Sequence, residues 1–190
     1  MILILDNYDS FTYNLVQYVG SINTNIKVIK NNELTVEKIK AMNVSHIIIS
    51  PGPGNQFNTG VAMKLIKSLS YKVPTLGICL GHQTIAHCFN AKIIRSKNIM
   101  HGKTSIITHN QNSVLYKRIP VKFQATRYHS LSVDRKYSNK YLKITSKSDD
   151  GEIMSIEHNK LPVYGIQYHP EAVLTEHGLQ IMKNFLNIVV

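Results

Sequence analysis

Val73-Pro74-Thr75-Leu76-Gly77-Ile78-Cys79-Leu80-Gly81 is the stretch that decides how this chain folds. An apolar run bounded by a proline suits a strand buried on both faces of a parallel sheet. The residues that follow, Gly81-His82-Gln83-Thr84-Ile85-Ala86-His87-Cys88-Phe89, read as a short helix. Cys79 therefore stands at the crest of a strand-to-helix turn. The glycines on either side let the backbone bend sharply and let another group come close, as in a nucleophile elbow. The partial positive charge of the helix N-terminus suits a nucleophilic thiol at that point. The competing reading is a small apolar cysteine in a core turn.

Outward from this turn, the first half of the chain alternates strand and helix. Strands are predicted over 2–5, 26–29 and 45–50, and helices over 10–19, 35–42 and 61–69, each with its own apolar face. This βαβα order implies an α/β fold, flavodoxin-like, with a mostly parallel sheet covered by helices on both faces. After Asn90 the texture changes to short segments, 104–108, 141–145 and 153–157, that read as antiparallel strands joined by polar turns. A last strand over 163–168 precedes a helix over 176–188. With no repeat, linker or low-complexity tract in between, residues 1–190 are expected to form a single domain with a mixed sheet.

Composition narrows the function classes. No apolar run approaches the roughly 20 residues that span a bilayer. Two cysteines, Cys79 and Cys88, make no disulfide framework and fit a reducing compartment. The net charge of +11 raises the question of a nucleic-acid partner. The excess is mostly lysine scattered along the chain, and arginine is confined to Arg95, Arg118, Arg127 and Arg135. That is not the clustered stripe such binding uses, so neither nucleic acid nor membrane is expected as a partner. Abundant Lys, Asn and Ile instead point to an A/T-rich genome. The N-terminus runs straight into a strand-like segment without a presequence pattern. A bacterial cytoplasm or a plastid stroma is the expected location, and secretion is not.

Two further motifs follow strands. His169-Pro170-Glu171 comes just past the last strand, and ligands in open α/β sheets bind outside the carboxyl ends of strands. Residue 169 precedes proline and is pushed to extended backbone, so the side chains of 169 and 171 are expected on one side. A carboxylate beside an imidazole fixes its tautomer and stabilises the imidazolium formed in proton transfer. Cys79, His169 and Glu171 thus have the types of nucleophile, base and orienter. Ser50-Pro51-Gly52-Pro53-Gly54 directly follows another apolar strand. Two prolines stiffen this loop while its glycines leave their N–H groups unshielded, so the Gly52 N–H and the Leu80 N–H could together hold an oxyanion. The histidines and cysteines do not repeat into a ligand set, and no metal site is expected.

Ser50-Pro-Gly-Pro-Gly54, Gly77-Ile-Cys-Leu-Gly-His-Gln83 and Tyr168-His-Pro-Glu171 together resemble the class I, triad-type glutamine amidotransferases. The blocks 5–15, His101-Gly-Lys103 and Arg127-Tyr-His-Ser-Leu131 resemble one branch of it, the amidotransferase subunits (component II) of anthranilate synthase and aminodeoxychorismate synthase. The resemblance implies a Cys79–His169–Glu171 triad. It also implies glutamine contacts at Gly52, Pro53, Gly54, Gln83, Ser130 and Leu131. Ala172 departs from the serine common after His-Pro-Glu. The branch further implies a chorismate-binding synthase as partner, component I of either enzyme, with Mg²⁺ on the partner's chain and no cofactor on this one. This agrees with the absence of any ATP-binding loop or acceptor domain in the sequence.

Other readings fit less well. A cysteine peptidase of similar fold would share the elbow but has no use for the Pro-Gly-Pro-Gly loop. A GMP synthetase chain would carry an ATP-dependent domain, and a carbamoyl-phosphate synthetase small subunit a long N-terminal extension. An inactive regulatory scaffold would be expected to have lost a triad member. The segment Asp6-Asn7-Tyr8-Asp9 has two readings: a helix cap at Asp9 or Ser10, and a docking point at Tyr8.

Overall fold

The computed structural model describes residues 1–137 and 139–190. In chain order its regular elements are β1 (Ile2–Asp6), α1 (Thr12–Gly20), β2 (Ile26–Lys30), α2 (Val36–Ala41), β3 (His46–Ile49), α3 (Ala62–Leu69), β4 (Thr75–Ile78) and α4 (Leu80–Cys88). There follow β5 (Ile93–Arg95), β6 (Lys103–His109), β7 (Lys122–Arg127), β8 (Leu131–Val133), β9 (Leu142–Ser148), β10 (Ile153–His158), β11 (Val163–Ile166) and α5 (Gly178–Leu186). Short 3₁₀ turns occupy Gln56–Asn58 and Val114–Tyr116. No helix is long and apolar enough to cross a membrane among the described residues.

One sheet dominates, in the order β2-β1-β3-β4-β11-β10-β9-β6-β7. Its first five strands are parallel, and the rest join antiparallel from β10 outward. The α/β class with a mixed, mostly parallel arrangement is therefore as expected, and the parallel half follows the flavodoxin-like order. Central strands β1, β3, β4 and β11 are buried along nearly their whole length, as sheets covered on both faces require. Their alternating side chains feed two cores. Ile2, Ile4, Ile48, Leu76 and Ile78 pack on one face with α1 and α5, while Leu3, Leu5, Ile47 and Ile49 pack on the other with α2, α3 and α4.

Several boundaries differ from expectation. The helix expected from Ser10 begins at Thr12, because Asp6 and Asp9 fold the chain into a turn first. Asp9 Oδ2 accepts the Phe11 N–H at 2.9 Å, and Asp6 Oδ1 accepts the Thr12 hydroxyl at 2.9 Å. The last strand stops at Ile166 rather than 168, since the chain then leaves β4 and His169 donates its N–H to Thr126 O of β7 at 3.0 Å. The final helix is shorter, Gly178–Leu186, behind a left-handed His177 with φ 59°. β7 and the small β5–β8 pair are additions the alternation pattern did not announce.

The first turn of α4 lies tight against the sheet. A Cβ on Gly81 would sit 2.3 Å from the Ile49 carbonyl oxygen, and one on Gly77 would sit 2.3 Å from the Gly81 oxygen. Backbone atoms cannot swing aside as side chains can, so Gly81→Ala forces the helix off the sheet. Overpacking of this kind costs about 1–3 kcal/mol. A thermal melt of the variant is expected to show a Tm about 5–10 °C lower, with most of the nucleophile's reactivity gone.

Candidate active site

Three loops converge at the carboxyl edge of the parallel strands: 50–54 after β3, the β4–α4 turn, and 167–172 after β11. Cys79 occupies the turn with φ 51° and ψ −100°. A non-glycine residue there is strained, a feature typical of residues held for chemistry. Its N–H donates to Ile166 O at 2.8 Å, so the turn is tied to the strand that carries the histidine. The amides of Leu80 and Gly81 open α4, where no preceding helical carbonyl can accept from them.

His169 and Glu171 meet as the residue types suggested, with His169 Nδ1 2.7 Å from Glu171 Oε1. The local route differs from the extended backbone expected. Residues 169–172 form a turn closed by the Ala172 N–H on His169 O at 3.3 Å, with Pro170 at the position its fixed φ favours. The turn is braced by Thr175, whose hydroxyl donates to His169 O at 2.6 Å and accepts the Thr126 N–H at 3.0 Å. Tyr128 packs edge-on against the imidazole at 5.1 Å between ring centres. Burial pushes this imidazole down. The nearby Cys79 and the Glu171 carboxylate, hydrogen-bonded to Nδ1, overcome it and raise His169 well above the usual histidine range. A ring biased towards its protonated form suits a proton donor.

Beside the thiol lies a cleft of about 190 Å³ lined by Gly52, Pro53, Gly54, Cys79, Leu80, Gln83, Tyr128, His129, Ser130 and Leu131. Every residue named as a glutamine contact from sequence therefore faces the same cleft as the thiol. Gln83 turns its amide across it, donating Nε2 to Leu131 O at 2.9 Å and to Gln167 Oε1 at 3.1 Å. Gly52 is wedged between β1 and α4. An added Cβ would fall 2.6 Å from Asn7 Cβ and 3.1 Å from Leu80 Cδ2, so Gly52 sits against the Leu80 side chain. Among the described residues, no three His, Cys, Asp or Glu side chains gather as a metal ion would need.

Sequence reading missed some residues. Asn7 clamps the 50–54 loop through its N–H to Ser50 Oγ (2.9 Å) and its side-chain amide to Ser50 O (2.8 Å), and Asn31 Nδ2 donates to Asn7 Oδ1 at 2.9 Å. Gln167 donates Nε2 to Cys79 Sγ at 3.5 Å. Arg127 and His129 lie buried under the Ser130–Leu131 loop. Their only signal in sequence was membership of a family block, since no pattern announces a buried polar network. Asp150, beside Arg127, is pushed up by burial, but Ser148 and Arg127 pull it down to about 2.

The fold and this cleft define a class: an α/β protein with a cysteine elbow at the edge of its parallel sheet, a small cleft beside the thiol, and a buried histidine–glutamate pair close to it. Comparison with known proteins is specific. A family profile described as "Glutamine amidotransferase class-I" matches residues 3–189. The chain is 47% identical to anthranilate synthase component 2 of Cyanophora paradoxa, covering 98% of both. It is 41% identical to the aminodeoxychorismate/anthranilate synthase component 2 of Bacillus subtilis, covering 98% of this chain and 95% of that one. With the bifunctional protein TrpGD of Thermotoga maritima it shares 49% identity over 98% of its length, but spans only 32% of that protein. The crystal structure of a glutamine amidotransferase from Thermotoga maritima superposes with a TM-score of 0.76 at 16% identity, over 97% of this chain and 95% of the other, a likeness of fold. This chain belongs to the class-I glutamine amidotransferase family.

Two buried histidines set an acid limit. Burial pushes His82 down to about 4, against an opposing pull from the Gly165 backbone. Burial and the Arg127 charge bring His129 to about 3. Both are neutral when folded, whereas the unfolded chain protonates them near pH 6.5. Their contribution to stability is therefore full above about pH 6.5 and is lost as pH falls towards 4, by about 1.4 kcal/mol per pH unit for each histidine. His169, raised when folded, acts in the opposite sense: its contribution is present at low pH and is lost as pH rises above about 6.5. Urea unfolding between pH 4 and 7 is expected to show this slope, and His129→Asn to flatten it by about half.

Proposed function

We propose that this chain hydrolyses glutamine and supplies the ammonia to a chorismate-using synthase, anthranilate synthase first among them. The observation that supports this chemistry is the buried His169–Glu171 pair, 2.7 Å apart and close to Cys79, whose thiol borders the cleft together with Leu80 at the start of α4. Cys79 Sγ attacks the side-chain amide carbon of glutamine, and the Gly52 and Leu80 N–H groups receive the oxyanion. His169 protonates the departing nitrogen, which leaves as ammonia and leaves a γ-glutamyl thioester on Cys79. Water, deprotonated by His169, then cleaves the thioester to glutamate. Glu171 holds the ring through both proton transfers. Pro53, Gly54, Gln83, Ser130 and Leu131 seat the amino acid.

Anthranilate synthase as the destination is supported by relatives named anthranilate synthase component 2 at 44–47% identity and full coverage. A second reading, service to aminodeoxychorismate synthase as well, draws on the relative named for both. In either case the acceptor chemistry, with its Mg²⁺, belongs to the partner chain. Such relatives occur in bacteria and in plastid-bearing algae. Together with the Lys/Asn/Ile composition, this favours work in a plastid stroma or a bacterial cytoplasm.

A partner also suits the surface. Tyr8, Phe57, Val173 and Leu174 stand 53%, 63%, 96% and 57% exposed on the loops that leave β1, β3 and β11, ringing the catalytic edge. Large apolar side chains so placed mark a binding face.

Cys79→Ser is expected to lower glutamine-dependent synthesis by a factor of at least about 10³, while ammonia-dependent synthesis by the partner continues. Glutaminase activity surviving in that variant would overturn the assignment. Val173→Asp with Leu174→Asp is expected to weaken co-purification of the synthase about tenfold or more, leaving the melting temperature within a few degrees of the parent.

A further inference from the structure

The buried polar groups behind the cleft form one continuous chain of hydrogen bonds whose direction is fixed at its far end. Arg127, fully buried on β7, can only donate. Its Nε donates to His129 Nε2 at 3.0 Å, so that nitrogen carries no proton and the proton of the neutral ring lies on Nδ1. Nδ1 points at Leu131 O at 3.0 Å, with Ser96 Oγ also at 3.0 Å. Leu131 O can only accept, and it receives a second donor from Gln83 Nε2 at 2.9 Å. The amide of Gln83 is thereby oriented, and its other N–H meets Gln167 Oε1 at 3.1 Å. Gln167 in turn has one orientation left, with its NH₂ group 3.5 Å from Cys79 Sγ.

We propose that Gln167 is a further residue of the active site, its side-chain amide holding the Cys79 sulfur as a hydrogen-bond donor, and that Gln83 is the positioning residue that fixes the amide's orientation. The chemistry favours this role. Gln167 has no exposed surface and its amide spans the space between Gln83 and the sulfur. A sulfur that is anionic when it attacks and again when the thioester breaks gains from an amide donor, since hydrogen bonds to charged acceptors are roughly twice as strong as neutral ones. The same network connects substrate seating to the nucleophile, because Leu131 and Gln83 line the cleft while Gln167 lies behind it.

The inference rests on Cys79 as nucleophile, and its test separates the two. Chloroacetamide alkylation of Cys79 is followed at fixed pH by mass spectrometry in a Cys88→Ala background, and glutaminase kcat and KM are measured on the chain bound to its synthase. Gln167→Met and Gln167→Glu are expected to slow alkylation and lower kcat about tenfold, with KM within about twofold. Gln167→Glu keeps the shape but turns an acceptor towards sulfur, so it is expected to be the slower of the pair. Gln83→Met is expected to slow alkylation less, and Gln83→Met with Gln167→Met to match Gln167→Met alone, as coupled residues do. A residue that only fills space would leave the Glu variant at parental rates. That result, or additive effects in the double variant, would overturn the proposal. If Gln167→Met melts early, the isosteric Gln167→Glu carries the test. Failure of the nucleophile assignment shows differently, as turnover that survives Cys79→Ser.

Discussion

The first turn of α4 rests directly on the ends of β3 and β4, with the Ile49 oxygen against Gly81 and the Gly81 oxygen against Gly77. Any side chain at either glycine would lift the helix. The closeness accompanies a positive φ at Cys79, whose thiol lies buried where the core meets the cleft at the sheet edge. It also brings the opening amides of α4 beside the Gly52 loop, which Asn7 holds from the other side. The strained turn is maintained by the surrounding packing, as such strain must be.

Cys79, the proposed nucleophile, comes from the parallel half of the sheet, but His169, the proposed base, depends on the antiparallel half. His169 gives its backbone hydrogen bond to Thr126 on β7, and Thr175 braces the turn that swings Glu171 under the ring. β11 is where the halves meet, paired with β4 on one side and β10 on the other. The long antiparallel extension therefore acts as a support that sets the height and tilt of the imidazole.

Much of this was legible in sequence because local patterns carried it. The apolar runs within 45–50, 73–78 and 163–168 announced buried strands, and the loops after the first two supply Gly52, Pro53, Gly54, Cys79 and Leu80 to the cleft. The family blocks pointed to the same positions. What escaped depended on pairing between distant segments. β7, a mixed stretch of Lys122–Arg127, earns its place only by lying beside β6, and its alternation is too weak to stand alone. The Pro170 turn replaced an extended segment because the strand's last hydrogen bonds go to β7, a partner no local rule names. Asn7, Arg127, His129 and Gln167 are buried polar residues whose meaning lies in their partners, and single-residue chemistry does not reveal partners.

The position of β11 has a consequence in time as well as in space. Residues 163–166 occupy the centre of the sheet, though they are made after both β4 and β10, between which they must slot. Pairings of such long sequence separation form slowly. Until then the thiol stands at its turn without an imidazole, and the open edges of β4 and β10 are exposed to other chains. The closing of the sheet therefore covers these edges and brings His169 to Cys79 in one step.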